Sequence, residues 1–163
     1  MARKTNVKTK EQDKNTSASE KVHSKKQAEQ TVAETHQILI DDKAKKLSPK
    51  SSGFISFQLG KSLETDELEL RLVSVEGGGL HSKEWVKLSE IYSALDCQLP
   101  DKPFKSGIFK TVFKGASANN ASFLAAVLRS SAIDLIDSTE KSIFLHQLNS
   151  ELEKKKEVLS KLV

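Results

Sequence analysis

The sequence has one cysteine, few aromatic residues and no long apolar run. Because Cys97 is the one cysteine among 163 residues, an intrachain disulfide and a cysteine-based zinc site are both excluded. No apolar run approaches the roughly 20 residues that a transmembrane helix needs. A signal peptide would require an apolar core after the charged N-terminus, and this sequence has none there. These absences favour a protein without a membrane partner that acts inside the cell, in the cytoplasm, nucleoid or nucleus.

The first third of the chain lacks the residues that build a core. No aromatic residue precedes Phe54, and residues 1–36 are mainly Lys, Glu, Gln, Thr, Ser and Asn. Such a composition buries too little apolar surface to offset the entropy of an ordered chain. We therefore predict a disordered basic tail and linker over residues 1–50. A short helix through Ala28–Leu39 is the alternative there, and residues 37–40 (QILI) form its only patch for docking on the domain or a partner.

Charge is also unevenly distributed. Residues 1–50 contain twelve Lys or Arg and seven Asp or Glu, a net charge of +5, which leaves 14 and 15 for residues 51–163, a net charge of −1. A basic isoelectric point is a common sign of nucleic-acid binding. Here it arises from the tail, so it is weak evidence about the folded part.

Residues 51–163 read as one α+β domain with a β-hairpin at its start. Ile55, Phe57 and Leu59 alternate with polar residues, and the residues at 68, 70 and 72 do the same. Alternation with a period of two indicates strands with one buried face. Residues 60–67 are polar and connect the two strands.

Three helices, a hairpin and a last helix are predicted to follow. Apolar residues at helical spacing begin at Trp85, with Ser82 or Ser89 as the alternative N-caps. If Ser89 is the cap, 85–88 becomes a strand that leads into a helix over 90–96. A second helix covers 104–114 and ends at Gly115, and a third begins at 117, 119 or 120. The residues around 133–135 and 143–145 form a small hairpin, and a charged helix covers 147–162.

The periodicity also predicts the core. These residues should be mostly buried: Ile55, Phe57, Leu70, Leu72, Trp85, Leu88, Tyr92, Leu95, Phe109, Phe123, Leu124, Val127, Leu128 and Leu135.

Two stretches resemble winged helix-turn-helix DNA-binding proteins. Residues 86–95 (VKLSEIYSAL) resemble the strand and first helix of that motif, and residues 121–130 (ASFLAAVLRS), followed by 133–136, resemble its recognition helix and first wing strand. The resemblance implies a small winged-helix-like domain whose recognition helix enters the major groove. About 20 residues separate Leu95 from Asn119, where the family has a tight turn. Either the second helix is an insertion, or 104–114 belongs to the motif.

Charge in the same region predicts a nucleic-acid surface. No acidic residue occurs between Lys102 and Ile133, and the basic residues of this stretch can neutralise phosphates. In an α-helix, 105, 110 and 114 would share one side. The predicted nucleic-acid-binding residues are Lys102, Lys105, Lys110, Lys114, Asn119, Asn120 and Arg129. The function that follows is a DNA-binding regulatory or accessory protein, with single-stranded DNA or RNA as alternative partners.

The second hypothesis is a protein-interaction adaptor or assembly subunit. The presumed wing carries Asp134, Asp137 and Glu140 against Lys141, and such acids disfavour contact with phosphates. The C-terminal helix offers a leucine seam that packs on its own domain or joins a homodimer or a protein partner, through Leu148, Leu152, Leu159 and Leu162. If the basic residues at 105, 110, 114 and 129 do not share one surface, the adaptor hypothesis takes precedence.

Nothing in the sequence predicts catalysis. The histidines His23, His36, His81 and His146 do not form a metal-ligand pattern, and Cys97 has no histidine near it in sequence. We therefore expect a protein that is not an enzyme and that needs no cofactor or metal.

Overall fold

The computed structural model describes residues 35–162. The prediction of disorder for residues 1–34, and the part of the alternative helix that falls there, lie outside the described residues. The described chain is a mixed α+β fold with a four-stranded antiparallel sheet, a three-stranded sheet and several helices. No helix in residues 35–162 is long and apolar enough to cross a bilayer.

The four-stranded sheet is a meander in which each strand pairs with the next. Its strands are β1 (His36–Lys45), β2 (Phe54–Ser62), β3 (Leu68–Val75) and β4 (Val86–Lys87). The hairpin predicted from alternation is confirmed as β2 and β3. Ile55, Phe57 and Leu59 are fully buried on one face, as are Leu70 and Leu72 opposite them.

Strand β1 corrects the predicted domain boundary. Residues 36–45 pair with β2 along their whole length, from His36 opposite Ser62 to Lys45 opposite Phe54. The register shifts once, at a bulge between 38 and 40. The prediction of a disordered linker here is therefore wrong, and so is a helix over 36–39. An edge strand is held mainly by backbone hydrogen bonds, so it needs little apolar sequence. Only His36 and Ala44 are buried along it.

The N-terminal end of β1 is fixed by an aromatic stack. The His36 ring lies parallel to the Trp85 ring at a centroid distance of 3.9 Å, and His36 Nε2 lies 3.0 Å from Glu69 Oε2. The Arg71 guanidinium lies 4.8 Å from the Trp85 ring. Gly60 allows this packing, because a Cβ there would lie 3.1 Å from Trp85 Cη2. These long-range contacts carry no periodic signal in the sequence.

The second half of the domain is helical with a small sheet. It contains α1 (Leu88–Asp96), α2 (Asn120–Leu128) and α3 (Leu152–Ser160), and the sheet has the order β5 (Phe104–Lys105), β7 (Leu145–Leu148), β6 (Ile136–Ser138). Helix α1 begins directly after β4, which agrees with the alternative of a strand leading into a helix. Lys87 occupies the N-cap without a side-chain hydrogen bond, so neither Ser82 nor Ser89 caps α1.

The helix predicted over 104–114 is wrong. Residues 104 and 105 form β5, and Ser106–Val112 forms a 3-10 helix. Ser106, Gly107, Thr111 and Val112 all have low α-helix propensity. Phe104 also pairs with His146 across the sheet, which fixes the start of the segment as a strand.

The core joins both halves. The predicted core residues are buried, except that Trp85, Tyr92 and Phe123 are only half-buried.

The C-terminal helix begins later than predicted because Leu145–Leu148 forms β7. Leu152 and Leu159 are buried in the chain's own core and Leu148 packs against it, while Leu162 stays exposed. The seam is therefore covered internally, and Leu152 and Leu159 are not available to a second subunit.

Candidate interaction surfaces

The predicted lysines present their ammonium groups to solvent. Lys102, Lys105, Lys110 and Lys114 are exposed, and within residues 35–162 their ammonium groups form no ion pair or hydrogen bond. By contrast, ion pairs occupy a second set of lysines: Lys43, Lys61, Lys87, Lys154, Lys155, Lys156 and Lys161. These four lysines, named the free lysines below, can therefore meet an external anion without breaking an ion pair or hydrogen bond of residues 35–162.

These lysines do not share the helix face that we predicted. Lys105 lies in β5, Lys110 in the 3-10 helix, and Lys114 beyond its end. Because the segment is not an α-helix, the spacing that would align the three side chains does not apply. Arg129 follows α2 and contacts the hairpin, as described below.

Asn120 is committed to the fold. Its side chain is 2% exposed. Its Oδ1 accepts a hydrogen bond from the Ser82 N–H at 2.9 Å, and its Nδ2 donates to the Gly115 carbonyl at 3.1 Å. Asn120 is therefore unavailable to phosphate or a base. The exposed Asn119 donates from Nδ2 to the Leu80 carbonyl at 3.2 Å.

The hydrogen bonds of Asn119 and Asn120 anchor the loop of residues 77–84 to the start of α2. Glu84 accepts hydrogen bonds from the Ser82 hydroxyl and from the backbone N–H groups of Lys114 and Gly115. Burial acts to raise the pKa of Glu84, but these bonds and the Lys114 charge outweigh it, so the pKa lies below its usual value. The Leu80 side chain projects from this fixed loop and is 85% exposed.

Helix α2, which the family resemblance assigns to DNA reading, is enclosed by the rest of the domain. All of its residues except Ser122 and Phe123 are buried, and it contacts β1, β2 and the 3-10 helix. A recognition helix needs an exposed face of side chains that reach base edges. In this fold β1 and β2 cover much of that helix, so it cannot enter a major groove as the resemblance implies.

Arg129 connects the end of α2 to the hairpin. Its Nη1 donates to the Ile143 carbonyl at 2.8 Å. Burial lowers the pKa of Arg129, and the nearby Asp137 carboxylate acts in the opposite direction. Arg129 is half-buried, and its guanidinium lies against the hairpin.

Arg129 borders a cavity of about 490 Å³, which we name the basic groove. It lies between the end of β1 and the hairpin tip, and none of the described residues that line it is acidic. Its charged and large apolar lining residues are Lys43, Lys45, Lys46, Arg129, Phe54 and Ile143.

A second cavity of about 140 Å³, which we name the serine pocket, adjoins the groove across Lys46 and Leu47. The residues that matter for its chemistry are Ser48, Ser51, Ser106, Ser122, Phe144 and His146. Phe144 stands at this pocket and is 56% exposed.

His146 is the buried polar group of the serine pocket. Its side chain is inaccessible to solvent, and neither ring nitrogen has a hydrogen-bond partner among the described residues. Burial and the Arg129 charge lower its pKa from 6.5 to about 4, so the ring is neutral near pH 7. Sequence reasoning missed this residue because its burial depends on the pairing of β5 with β7.

Within residues 35–162, no group of three or more His, Cys, Asp or Glu side chains is arranged to hold a metal ion. Comparison of the chain with protein-family models, curated proteins and solved structures gives no match, so the surfaces above are the basis for assigning a function.

Proposed function

We propose that this chain is a non-enzymatic protein-interaction module, an adaptor or assembly subunit, built on a winged-helix-like domain. The order of elements supports this fold: three helical segments are followed by the hairpin β6–β7, which is the wing in this interpretation. The short strand β5 joins the sheet of that hairpin.

The observation that carries the proposal is the apolar surface at the hairpin. Phe54 and Ile143 both line the basic groove, and Phe144 follows directly at the serine pocket. We name these three residues the hairpin face. Their exposure is unfavourable in water, and exposed apolar surface with a polar rim marks protein-interaction sites. The adjacent helix α2 is covered, so protein contact explains this surface better than base reading.

A cross-linking experiment with the full-length chain tests the proposal. The double variant Ile143→Ser, Phe144→Ser changes exposed side chains, so the fold should persist while a defined partner is lost. Leu63→Ser is the matched control, because Leu63 is 60% exposed and follows β2 at the end opposite to Phe54. Identical cross-linked partners for wild type and double variant would contradict the proposal. Loss of the partner only in Leu80→Ser would place the interaction at the loop of residues 77–84.

Nucleic-acid binding is the second candidate, and the free lysines favour it. Exposed ammonium groups without internal partners can release counterions on binding phosphates. On this hypothesis, replacing Lys105, Lys110 and Lys114 by Ala weakens binding equally for all sequences and flattens its salt dependence. A salt-titrated assay on duplex and single-stranded DNA measures both effects. If the wild-type chain does not bind at low salt, this candidate is eliminated.

A further inference from the structure

We propose that Ser48, in the loop between β1 and β2, is a phosphorylation site for a proline-directed protein kinase, and that its phosphate releases the partner bound at the hairpin face. The site itself stands on the sequence and on the geometry of the loop. Its effect on binding rests on the proposed function.

Ser48 is the one serine or threonine of the chain that precedes a proline. The sequence contains three prolines, and Leu99 and Lys102 precede the other two. Proline carries no backbone N–H. A kinase whose peptide groove offers no acceptor after the serine therefore prefers Ser-Pro, because any other following residue would bury an amide without a hydrogen bond. The chain offers such a kinase a single site.

The loop between β1 and β2 presents this serine at a turn. The Ser51 N–H donates to the Ser48 carbonyl at 3.1 Å, and Pro49 is exposed. The Leu47 side chain packs against the core and holds the start of the turn. Ser48 is half-buried, and within residues 35–162 its hydroxyl forms no hydrogen bond. Phosphorylation of this hydroxyl therefore breaks no hydrogen bond of the described chain.

The reaction is phosphoryl transfer from ATP. The Ser48 Oγ forms a bond to the γ-phosphorus, the bond from that phosphorus to the β–γ bridging oxygen breaks, and ADP leaves with the electron pair. The hydroxyl proton passes to a basic group of the kinase. The product carries a charge of about −1.5 to −2 at neutral pH. Lys45 and Lys50 flank the serine, are exposed and form no ion pair in the described part of the chain, so they favour the doubly charged phosphate.

The Ser48-Pro49 dipeptide lies among the residues of the hairpin face. Pro49 lines the basic groove together with Phe54 and Ile143, and Ser48 lines the serine pocket together with Phe144. A partner that covers the hairpin face therefore covers the Ser48 hydroxyl. A phosphate at this position must lose its water when an apolar partner surface closes over it. The cost of desolvating this charge opposes the complex.

The same geometry makes phosphorylation and partner binding mutually exclusive. A covered hydroxyl cannot enter the active site of a kinase, so the bound partner protects Ser48 from modification. The two effects are reciprocal, because both arise from competition for one surface.

Mass spectrometry of the full-length chain tests the site. Incubation with ATP, Mg²⁺ and a purified kinase of the cyclin-dependent class, which is proline-directed, should add one phosphate, at Ser48. Ser48→Ala and Pro49→Ala should each abolish the transfer. Ser52→Ala should not, because Ser52 is an exposed serine of the same loop that no proline follows. The chain isolated from its own cells in the presence of phosphatase inhibitors should carry the phosphate at Ser48.

Three results would overturn the assignment of the site. They are an unmodified wild-type chain after incubation with the kinase, unchanged transfer to Ser48→Ala, and a chain from cells that carries no phosphate at Ser48. Both Ser48 and Pro49 lie outside the core, so the variants should keep the wild-type melting temperature.

The cross-linking experiment of the proposed function measures the effect on the partner. Phosphorylated wild type should lose the partner that the Ile143, Phe144 double variant loses, whereas Ser48→Ala treated with the kinase should keep it. Ser48→Glu should weaken the capture of that partner, and the matched control Ser52→Glu should not, because Ser52 lines neither cavity.

The outcomes separate this inference from the proposed function. If phosphorylated wild type captures the partner as well as the unmodified chain does, the release is wrong and the inference is overturned. If the kinase leaves Ser48 unmodified while the double variant loses its partner, the inference fails and the proposed function stands. If the double variant keeps its partners, the proposed function fails and the release falls with it, while mass spectrometry decides the site alone.

Discussion

Lowering the pH should destabilise the fold through His146, because the buried ring resists protonation. The folded-state pKa is about 4 against 6.5 for an accessible histidine. Between these values the unfolded chain binds a proton that the native chain does not, so stability falls as the pH decreases. Above pH 6.5 the ring is neutral in both states and contributes no pH dependence.

The magnitude follows from the width of that window. A difference of about 2.5 units at 1.36 kcal/mol per unit corresponds to about 3 kcal/mol of unfolding free energy lost between pH 7 and pH 4. Carboxylates also titrate in this range, among them Asp137, whose pKa is raised by burial and by Asp134. They are present in wild type and in His146→Phe alike, so the difference between the two proteins isolates the histidine.

Urea denaturation of wild type and His146→Phe at pH 7, 6, 5 and 4 is the appropriate assay. Wild type should lose about 3 kcal/mol more than the variant over this range. Near-ultraviolet circular dichroism at pH 7 checks that the variant keeps native packing. Parallel pH profiles for the two proteins would refute the assignment of His146 as a buried neutral ring.

Three further substitutions test the fold. Leu124→Ala removes a fully buried side chain and should cost about 2–5 kcal/mol in a thermal melt, whereas an unchanged melting temperature would show that α2 is not in the core. Asn120→Ala leaves the Ser82 N–H and Gly115 carbonyl unpaired and should cost about 1–3 kcal/mol, more than the matched Asn119→Ala. Gly79→Ala should destabilise more than Gly78→Ala; both have positive φ, but a Cβ at 79 would lie 2.9 Å from Phe123 Cζ. Equal losses at 78 and 79 would show that the Phe123 contact is unimportant.

The predictable parts of this fold are those where side-chain burial repeats regularly. The strands that contain Phe57 and Leu72 can be predicted because alternate residues along them are buried. Strand β1 has no such pattern, since it is held by backbone pairing and by the stack of His36 on Trp85. The 3-10 helix was predicted as an α-helix because the spacing of its apolar residues fits the periods of both helix types. The pairing of Phe104 with His146 joins residues that are distant in sequence, so no local pattern reveals it.

The candidate surfaces could be predicted from the sequence only in part. The predicted lysines of the stretch without acidic residues are exposed, but Lys43, Lys45 and Lys46 of the basic groove fall in the segment predicted to be a disordered linker. The sequence could not indicate that Asn120 is buried or that Arg129 turns toward the hairpin, because both depend on residues distant in sequence. The basic groove combines β1, α2 and the hairpin, so only the assembled fold reveals it.

The topology also has a consequence for folding during synthesis. The meander β1–β4 joins consecutive strands, whereas β5 pairs with β7 across the intervening helix and hairpin. Short-range pairings form faster because they close smaller loops. The meander can therefore pair on the nascent chain before α2 has been made, when its apolar face, including Phe57, still lacks the contacts with α2. Nascent chains halted before residue 120 should bind chaperones, and chains that include α2 should be released from them.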